Sequence, residues 1–377
     1  MSASRDKGGI RALVERPNTG STIDYGNARV RSRRTGLLGT AGLDRLVEAP
    51  DLGALVRELS RTRYAPYIEK HALTAPAATA VGLASAEMLA DEYRRVVSFY
   101  PSDLGRRLVV LAAAWDIEDV KSVLRAAYAG QPTEQTVASF IGAGVTIARR
   151  DLIMLAGEES VGDVVSLAST LHMPYARTLR KAAARYAEGQ TLAALESVLD
   201  QEYARWATAE FRAMRDGGGS AGFYVATRSD ARNIMVALRW LRAGNRIGED
   251  ATPRSLANSY LLEGGRAVDY ARFRRLVSAG SLERAADQLV GTPYGKMVAA
   301  ELPESVLSDS LAPIERVLST AGLAKTVREG SRDVLGMDLP VAYLLALQTE
   351  AANVRVLARG KAFGIPAEML NAEVTRV

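Results

Sequence analysis

Apolar residues recur along this chain with the spacing of helices rather than of strands. In the segment 116–130, "DIEDVKSVLRAAYAG", the apolar side chains fall on one face at about 100° per residue. Lys121, Ser122 and Arg125 fall elsewhere on the helix. Gly130 follows the last turn, where a left-handed residue ends a helix and glycine bears no steric cost. The pattern predicts an amphipathic helix that stops at a glycine.

The same pattern, [DE]-x2-[DN]-[VI]-x4-R-x4-G, occurs in three copies spaced roughly 115 residues apart. Each copy therefore predicts one helix with an acid near its middle or head and a glycine at its end. The positions of the repeat signature are Asp116, Asp119, Arg125 and Gly130; Asp230, Asn233, Arg239 and Gly244; and Glu350, Asn353, Arg359 and Gly364.

A second element, Leu-x2-Thr followed by tyrosine, recurs upstream of each copy. It ends at Tyr64 in the first copy and at Tyr294 in the third, and an insertion separates it from Tyr175 in the second. Two elements in the same order predict a threefold internal repeat. We expect an all-α fold of three tandem, pseudo-symmetric helical domains, 23–136, 137–248 and 249–377, after a mobile N-terminal tail, 1–22, with the three acids at equivalent sites.

The acid at the head of the pattern has two interpretations. Asp116 could cap the start of a helix, where a carboxylate accepts free backbone N–H groups. Alternatively, the helix begins upstream and Asp116 lies in its middle. The sequence leaves both open in the first copy, whereas the apolar run Tyr343–Leu347 favours one long helix in the third.

Glycine-rich and polar stretches between the periodic segments predict loops. "RDGGGSAGFY", which contains Gly217–Gly222, is expected to be a flexible loop inside the second repeat. "AGQPTEQT" and "AGNRIGEDATP", which follow Gly130 and Gly244, are expected to link the repeats.

Composition favours helix and excludes several kinds of chemistry. Apolar residues make up 48% of the 377 residues and aromatic residues only 6%, and cysteine is absent. Disulfides and thiolate metal sites are therefore excluded, and two histidines make a histidine-rich metal site unexpected. No apolar run is long enough for a transmembrane helix, and the N-terminus lacks the apolar core of a signal peptide. We expect a cytoplasmic protein without a cofactor.

Three motifs have the look of catalytic sites without the required context. Gly217–Gly222 fits both a dinucleotide G-x-G-x-x-G and a nucleophile elbow around Ser220, but a helical pattern precedes it where both motifs need a strand. Gly291–Lys296 is one residue short of a P-loop and lacks its Ser/Thr. His71 and His172 lie at similar places in the first and second repeats, where they are expected to be ordinary surface or packing histidines of a shared turn. The chain is therefore not expected to be an enzyme or to bind nucleotides.

The densest basic cluster is "NARVRSRR", with Arg29, Arg31, Arg33 and Arg34. A formal net charge of +5 is small for this length, so an ordinary solvated face is the simplest interpretation. Contact with a protein partner is the main alternative. Nucleic-acid binding is a third possibility, although no aromatic residues alternate with the arginines.

The chain resembles the C subunits of the archaeal and bacterial A/V-type rotary ATPases, a family that includes the d subunit of the eukaryotic V-ATPase. The similar segments are Tyr25-x-Asn27-Ala28-Arg29-Val30-Arg31, "WDIEDVKSVLRAAYAG", "NIMVALRWLRAG" and "EAANVRVLARGKAFGIP". The last segment is the most specific, because the family tends to carry E-x-x-N-[LV]-R there. The tail and the Gly217–Gly222 segment look like additions.

The resemblance implies a function as well as a fold. Members look like funnels of three helical domains and have no catalytic or nucleotide site. The resemblance implies a central-stalk rotor adaptor between the shaft subunits D and F and the membrane proteolipid ring, without insertion into the membrane and without nucleic acid. It would be cytoplasmic and peripheral to the cell membrane, serving ion or proton transport and ATP synthesis or hydrolysis. The alternatives from the residues alone are a generic helical scaffold and a basic nucleic-acid-binding protein.

Overall fold

The computed structural model describes residues 22–142, 144, 146–173, 175–187, 191–244, 252–333 and 335–377. These residues form helices joined by turns and contain no strand, which confirms the all-α prediction for this part of the chain. The predicted tail, 1–22, lies outside the described residues except for Thr22, whose hydroxyl caps the first helix.

The described residues fold into two compact units. One unit joins the chain up to Ala183 with Val327–Val377, and the other is Ala184–Thr326. The beginning and the end of the chain therefore share a unit. The division into three domains, with boundaries after residues 136 and 248, stays a prediction.

The helices of the first part of the chain range from 6 to 28 residues in length. Their bounds are α1 (Ile23–Arg34), α2 (Gly39–Glu48), α3 (Leu52–Leu59), α4 (Ala65–Ala72), α5 (Ala77–Val97), α6 (Ser102–Ala129), α7 (Thr133–Ala138), α8 (Arg149–Ala156), α9 (Val161–Thr170) and α10 (Ala176–Ala187).

The rest of the chain is also helical and contains two further long helices that carry the recurring pattern. The bounds are α11 (Leu192–Ala213), α12 (Gly219–Arg242), α13 (Pro253–Tyr260), α14 (Tyr270–Val277), α15 (Leu282–Asp287), α16 (Gly295–Leu307), α17 (Ala312–Gly330), α18 (Asp338–Ala362) and α19 (Ala367–Glu373).

Polar caps fix where many of the short helices begin. Each capping side chain accepts a hydrogen bond from a backbone N–H in the first turn, which satisfies a donor that the helix itself leaves free. The capping residues are Thr22, Asp51, Ser160, Thr191, Thr252, Asp269 and Ser281.

Each copy of the recurring pattern lies on a long helix, α6, α12 or α18. Because α6 runs unbroken from Ser102 to Ala129, Asp116 lies in its middle and the N-cap interpretation is wrong. The long helix expected in the third copy is confirmed, and its Tyr343, Leu344 and Leu345 are buried.

The long helices pack against elements that lie further along the chain or at its far end. α6 contacts α8 and α9 downstream, and α12 packs with α14 and α15, around Leu238, Trp240 and Phe273. α18 packs on α5 and on α1–α3, which belong to the start of the chain. In the first unit, the core is therefore completed only when the last long helix returns to the N-terminal helices.

The predicted glycine stops are confirmed. Gly130, Gly244 and Gly364 have φ values of 63°, 63° and 66° and follow the ends of α6, α12 and α18. Behind two of them the chain closes a Schellman motif, with Gln131 N–H donating to the carbonyl of Ala126 at 2.9 Å in one case. The left-handed conformation lets the chain turn away while satisfying the last carbonyls.

Two loop predictions need correction. The chain turns only as far as Gly218, and α12 begins at Gly219, so Gly222 is helical rather than part of a flexible loop. The "TEQT" part of the first predicted linker forms α7, starting after Pro132, whose ring suits the start of a helix. Most of the second predicted linker, 245–251, lies outside the described residues.

We expect Gly364→Val to lower the free energy of unfolding by about 1–2 kcal/mol, because a side chain in the left-handed region strains the backbone. A Cβ there would meet nothing within 4 Å, so backbone strain is the whole effect. Gly364→Asn should lose less, since asparagine tolerates this conformation. Urea unfolding measures both.

Gly162→Ala, inside α9 at ordinary helical φ, is the matched control and should be neutral or stabilising. Equal losses at positions 162 and 364 would show that the positive φ of Gly364 is not what requires glycine there.

Candidate functional site: buried acids and the arginine helix

The first acid of each copy is buried in the middle of its helix and binds backbone of a distant loop. Asp230 accepts the N–H groups of Arg266, Ala267 and Val268 at 3.0, 2.9 and 2.8 Å. It also accepts the hydroxyl of Tyr294 at 3.1 Å. One carboxylate thus satisfies three consecutive backbone donors, of which the N–H of buried Val268 would otherwise be unpaired in the interior.

Asp116 does the same in the first copy. It accepts backbone N–H groups from Gly144, Thr146 and Ile147 at 2.9, 2.6 and 3.2 Å, and the hydroxyl of Thr146 at 2.6 Å. In the third copy, Glu350 accepts the N–H of Leu38 at 2.6 Å. The three acids therefore use one chemistry at three places.

The second polar position of the pattern, three residues on, also binds backbone. Asn233 donates to the carbonyl of Leu262 at 2.9 Å and accepts its N–H at 2.8 Å. Asn353 makes the same pair of bonds with Thr375, at 2.7 and 3.0 Å. Each asparagine side chain thus both donates to and accepts from the backbone of one residue, as a paired residue does in a β-sheet.

Asp119 occupies that position in the first copy and differs in chemistry. Its two oxygens accept the N–H groups of Ile141 and Gly142 at 2.7 and 2.8 Å. The loop offers it two donors and no acceptor, so here a carboxyl group, whose two oxygens can both accept, fits where an amide would not. The alternation of Asp and Asn allowed by the pattern thus follows the loop that each one meets.

Burial sets the protonation behaviour of these acids. It raises the pKa of Asp116, Asp230 and Glu350, against the opposing effect of the N–H groups that they accept. Burial likewise raises the pKa of Asp119 to about 8, although the nearby cation Arg355 counteracts it. Each of these carboxyl groups is hydrogen-bonded to backbone within the fold, which gives it a structural role.

The recurring tyrosine of one copy binds the acid of another copy. The hydroxyl of Tyr294, upstream of the third copy, binds Asp230 of the second, within the second unit. The hydroxyl of Tyr64, upstream of the first copy, binds Glu350 of the third at 3.2 Å, within the first unit. Both acids thus bind the tyrosine of the copy that follows, with the third copy returning to the first.

The four arginines predicted as a weak partner-binding cluster lie on α1, and the structure divides them. Arg29, Arg31 and Arg34 are exposed, whereas Arg33 is half-buried and bonds both carboxylate oxygens of Glu92. Arg33 is therefore occupied inside the fold. Of the three exposed arginines, Arg34 also donates to the carbonyl of Ser331 at 3.2 Å. Their role in binding a partner stays a prediction.

Glu92 is the centre of a polar network that sequence reasoning missed. Besides Arg33, it accepts the hydroxyl of Tyr343 at 2.6 Å, and that hydroxyl accepts a hydrogen bond from Nη1 of Arg63 at 2.8 Å. Burial alone would raise the pKa of Glu92, but the hydrogen bonds from Arg33 and Tyr343 outweigh it and hold that pKa below its usual range. The network joins α1, which carries the arginine cluster, to α5 and α18.

The signals for this network were weak in the sequence. Arg63 lies within the recurring Thr-x-Tyr element, at a position where the third copy has Pro293. Glu92 stands in an ordinary run of charged residues, and its partners lie 59 and 251 residues away. Such pairings depend on tertiary packing and leave no periodic trace.

One of the two histidines, His71, is paired within the fold. His71 Nε2 lies 2.7 Å from a carboxylate oxygen of Glu87, which also binds Lys70. Among the described residues no cluster of His, Asp and Glu is suited to a metal ion. In the same residues, no helix combines the length and apolar character needed to cross a membrane.

The fold and its contacts define an all-helical protein whose buried acids are used to hold loops. Residues 26–373 match the family described as ATP synthase (C/AC39) subunit. The chain belongs to this family.

Individual relatives agree along almost the whole chain. The A-type ATP synthase C subunit of Methanocaldococcus jannaschii is 28% identical over 340 residues, 89% of this chain and 82% of its own length. The V-type ATP synthase C subunit of Deinococcus radiodurans is 27% identical, and the match covers 93% of this chain and 90% of that protein. The A-type C subunit of Haloferax volcanii is 27% identical over 94% of this chain and 98% of its own length. The resemblance drawn from the sequence is confirmed.

We expect Asn233→Asp to lower the free energy of unfolding by about 1–3 kcal/mol at pH 7, because a carboxylate would face the carbonyl of Leu262. The loss should shrink at low pH, where a protonated aspartic acid can donate as the amide does. The reciprocal change, Asp119→Asn, should also destabilise, since an amide N–H₂ would face an N–H donor. Because the folded pKa of Asp119 is raised to about 8, this loss should be largest at low pH and shrink as the pH rises from about 4 to 8. Chemical denaturation across pH measures both.

The control for this pair is Asn258→Asp, the same chemical change at an exposed position. It should change stability by less than about 0.5 kcal/mol. If all three variants behave alike, the directional matching of amide and carboxylate to their loops is wrong.

Removing the charge of Glu92 should destabilise the first unit in a pH-dependent way. Its pKa is lowered in the fold, so its stabilisation is present above the unfolded pKa of about 4.3 and is lost as pH falls through the folded pKa. Glu92→Gln should therefore lose about 1–3 kcal/mol at pH 7, and the gap to wild type should narrow below about pH 4. Thermal unfolding across this pH range tests the expectation.

Glu58→Gln serves as the surface comparison, because Glu58 pairs with Arg61 in the open at 2.7 Å. Its effect should be within about 0.5 kcal/mol at every pH. A loss at Glu92 that stays constant down to about pH 3 would contradict the assigned role of its charge.

Proposed function

We propose that this protein is a non-catalytic rotor adaptor of an A/V-type rotary ATPase. It would couple the shaft subunits D and F to the membrane proteolipid ring. The observation that carries the proposal is the match of residues 26–373 to a family of ATP synthase subunits. In this role the protein would be peripheral to the cell membrane on its cytoplasmic side and would transmit torque while ATP synthesis or hydrolysis takes place elsewhere.

The described contacts support a part that carries mechanical force. Each long helix is pinned at its middle to a loop by charge-assisted hydrogen bonds, which are stronger than bonds between neutral groups. In the first unit, Glu350 and Tyr343 of α18 bond to residues from the beginning of the chain. An element under torque benefits from such links, because its helices cannot slide without breaking them.

The proposed arrangement of three helical domains in a funnel agrees with the three copies of the pattern. One partner would be received in the mouth of the funnel and the other at the opposite face. A stable contact with each requires on the order of 1,600 Å² of buried surface. Family membership favours this adaptor over the generic scaffold and over the nucleic-acid-binding alternative.

We expect the purified chain to bind both a D–F complex and ring-containing membranes prepared from the same cells. Co-sedimentation with the membranes and size-exclusion chromatography with D–F measure the two contacts separately. Heat-unfolded protein is the control for non-specific adhesion. If the folded chain binds neither partner, the adaptor proposal fails.

A further inference from the structure

We propose that the exposed face of α1 is a docking surface for an acidic, amphipathic helix of a partner subunit. This face consists of Tyr25, Ala28, Arg29, Arg31 and Ser32. The inference rests on the proposed function, because it assigns one of the adaptor's contacts to a particular surface and a particular partner chemistry.

The shape of the face suits another helix. Tyr25, Ala28 and Ser32 recur at the i, i+3, i+7 spacing, so they form one exposed stripe opposite the buried Gly26 and Val30. Ala28 and Ser32 are small, which allows a second backbone to approach closely. α1 has 12 residues, so its exposed face is about 18 Å long and can contact roughly three turns of a partner helix.

The edges of the stripe carry an aromatic ring and cations. The Arg29 guanidinium lies 5.1 Å from the centre of the Tyr25 ring and 5.9 Å from that of Phe99. Tyr25 and Phe99 meet edge to face at 6.5 Å. The guanidinium is already held against two rings. The Arg29 side chain would therefore lose little conformational entropy when a partner binds it. Tyrosine and arginine are also the residue types enriched at the energetic centres of interfaces.

The charges on this face have no carboxylate partner within the described residues. Two other exposed arginines of the first unit are paired: Arg61 binds Glu58 at 2.7 Å, and Arg94 binds Asp91 at 2.5 Å. No described carboxylate lies within ion-pair distance of Arg29 or Arg31. Asp24 is the one acid of α1 and is also exposed, so the two arginines leave the face with a net positive charge that is complementary to an acidic partner.

The support beneath the face is rigid. Buried Asn27, on the other side of α1, donates to the carbonyl of Gly336 at 3.0 Å and accepts the hydroxyl of Tyr100 at 2.8 Å. These bonds fix α1 to the turn after α5 and to the loop before α18. A partner helix would meet a preformed surface rather than one that must reorganise.

The test measures binding of the full chain to purified D–F complex, to detergent-solubilised ring and to vesicles containing phosphatidylglycerol, at low and high salt. Tyr25→Ala removes the aromatic ring, and Ala28→Trp places a large side chain where a partner helix would pack. Both positions are exposed. Tyr270→Ala is the matched control, because Tyr270 is similarly exposed and likewise has an arginine, Arg274, over its ring at 6.0 Å.

We expect Tyr25→Ala and Ala28→Trp each to weaken binding to one protein partner about tenfold or more, and Tyr270→Ala to change it by less than about twofold. The double variant Arg29→Ala/Arg31→Ala should slow association severalfold at low salt and flatten its salt dependence. Arg45→Ala/Arg61→Ala, which removes the same charge from paired arginines, should do neither.

A photo-crosslinking residue at position 28 then identifies the contact in the purified complex. The expected product is a helical peptide of D, F or the ring that carries carboxylates one turn apart. Capture of a basic or uncharged segment would overturn the inference, as would binding to vesicles that these variants abolish while protein binding survives. If the wild type binds no partner, the adaptor function fails; if it binds and the α1 variants bind equally well, only this docking surface is wrong.

Discussion

The structure depends on one constraint: a backbone N–H that is buried must find an acceptor. The loops that follow the long helices enter the interior without forming helix or strand, so their donors need partners from side chains. Asp116 and Asp230 supply those partners from the middle of α6 and α12. Replacing either acid by an apolar residue would leave a group of buried donors unpaired, which costs far more than the lost bonds themselves.

The third acid applies the same chemistry to a different problem. Glu350 binds Leu38 and Tyr64, which lie 312 and 286 residues earlier, and thereby unites the end of the chain with its beginning. The network of Glu92, Tyr343, Arg33 and Arg63 lies in the same unit and adds a salt bridge. Both sets of contacts involve the last long helix, so the packing of the first unit depends on α18 as well as on the N-terminal helices.

The arginine helix shows how one cluster can serve two purposes. Arg33 faces inwards and neutralises Glu92, while Arg29 and Arg31 face outwards without carboxylate partners among the described residues. A helix turns by about 100° per residue, so neighbours in sequence meet different surroundings. Removing all four arginines would therefore mix a loss of stability with any loss of binding, and separate variants are needed to distinguish them.

The sequence by itself determined the helical class, the three copies of the pattern, the glycine stops and, through the similarity of its segments, the family. These are local or periodic properties: apolar spacing, the φ that only glycine adopts freely, and the order of short motifs. Only the tertiary structure decided that Asp116 is a mid-helix residue, that Gly219–Gly222 are helical and that Glu92 neutralises Arg33. A carboxylate has the same local preferences whether it caps a helix or accepts a distant loop, and its choice depends on which backbone donors the folded chain brings to it.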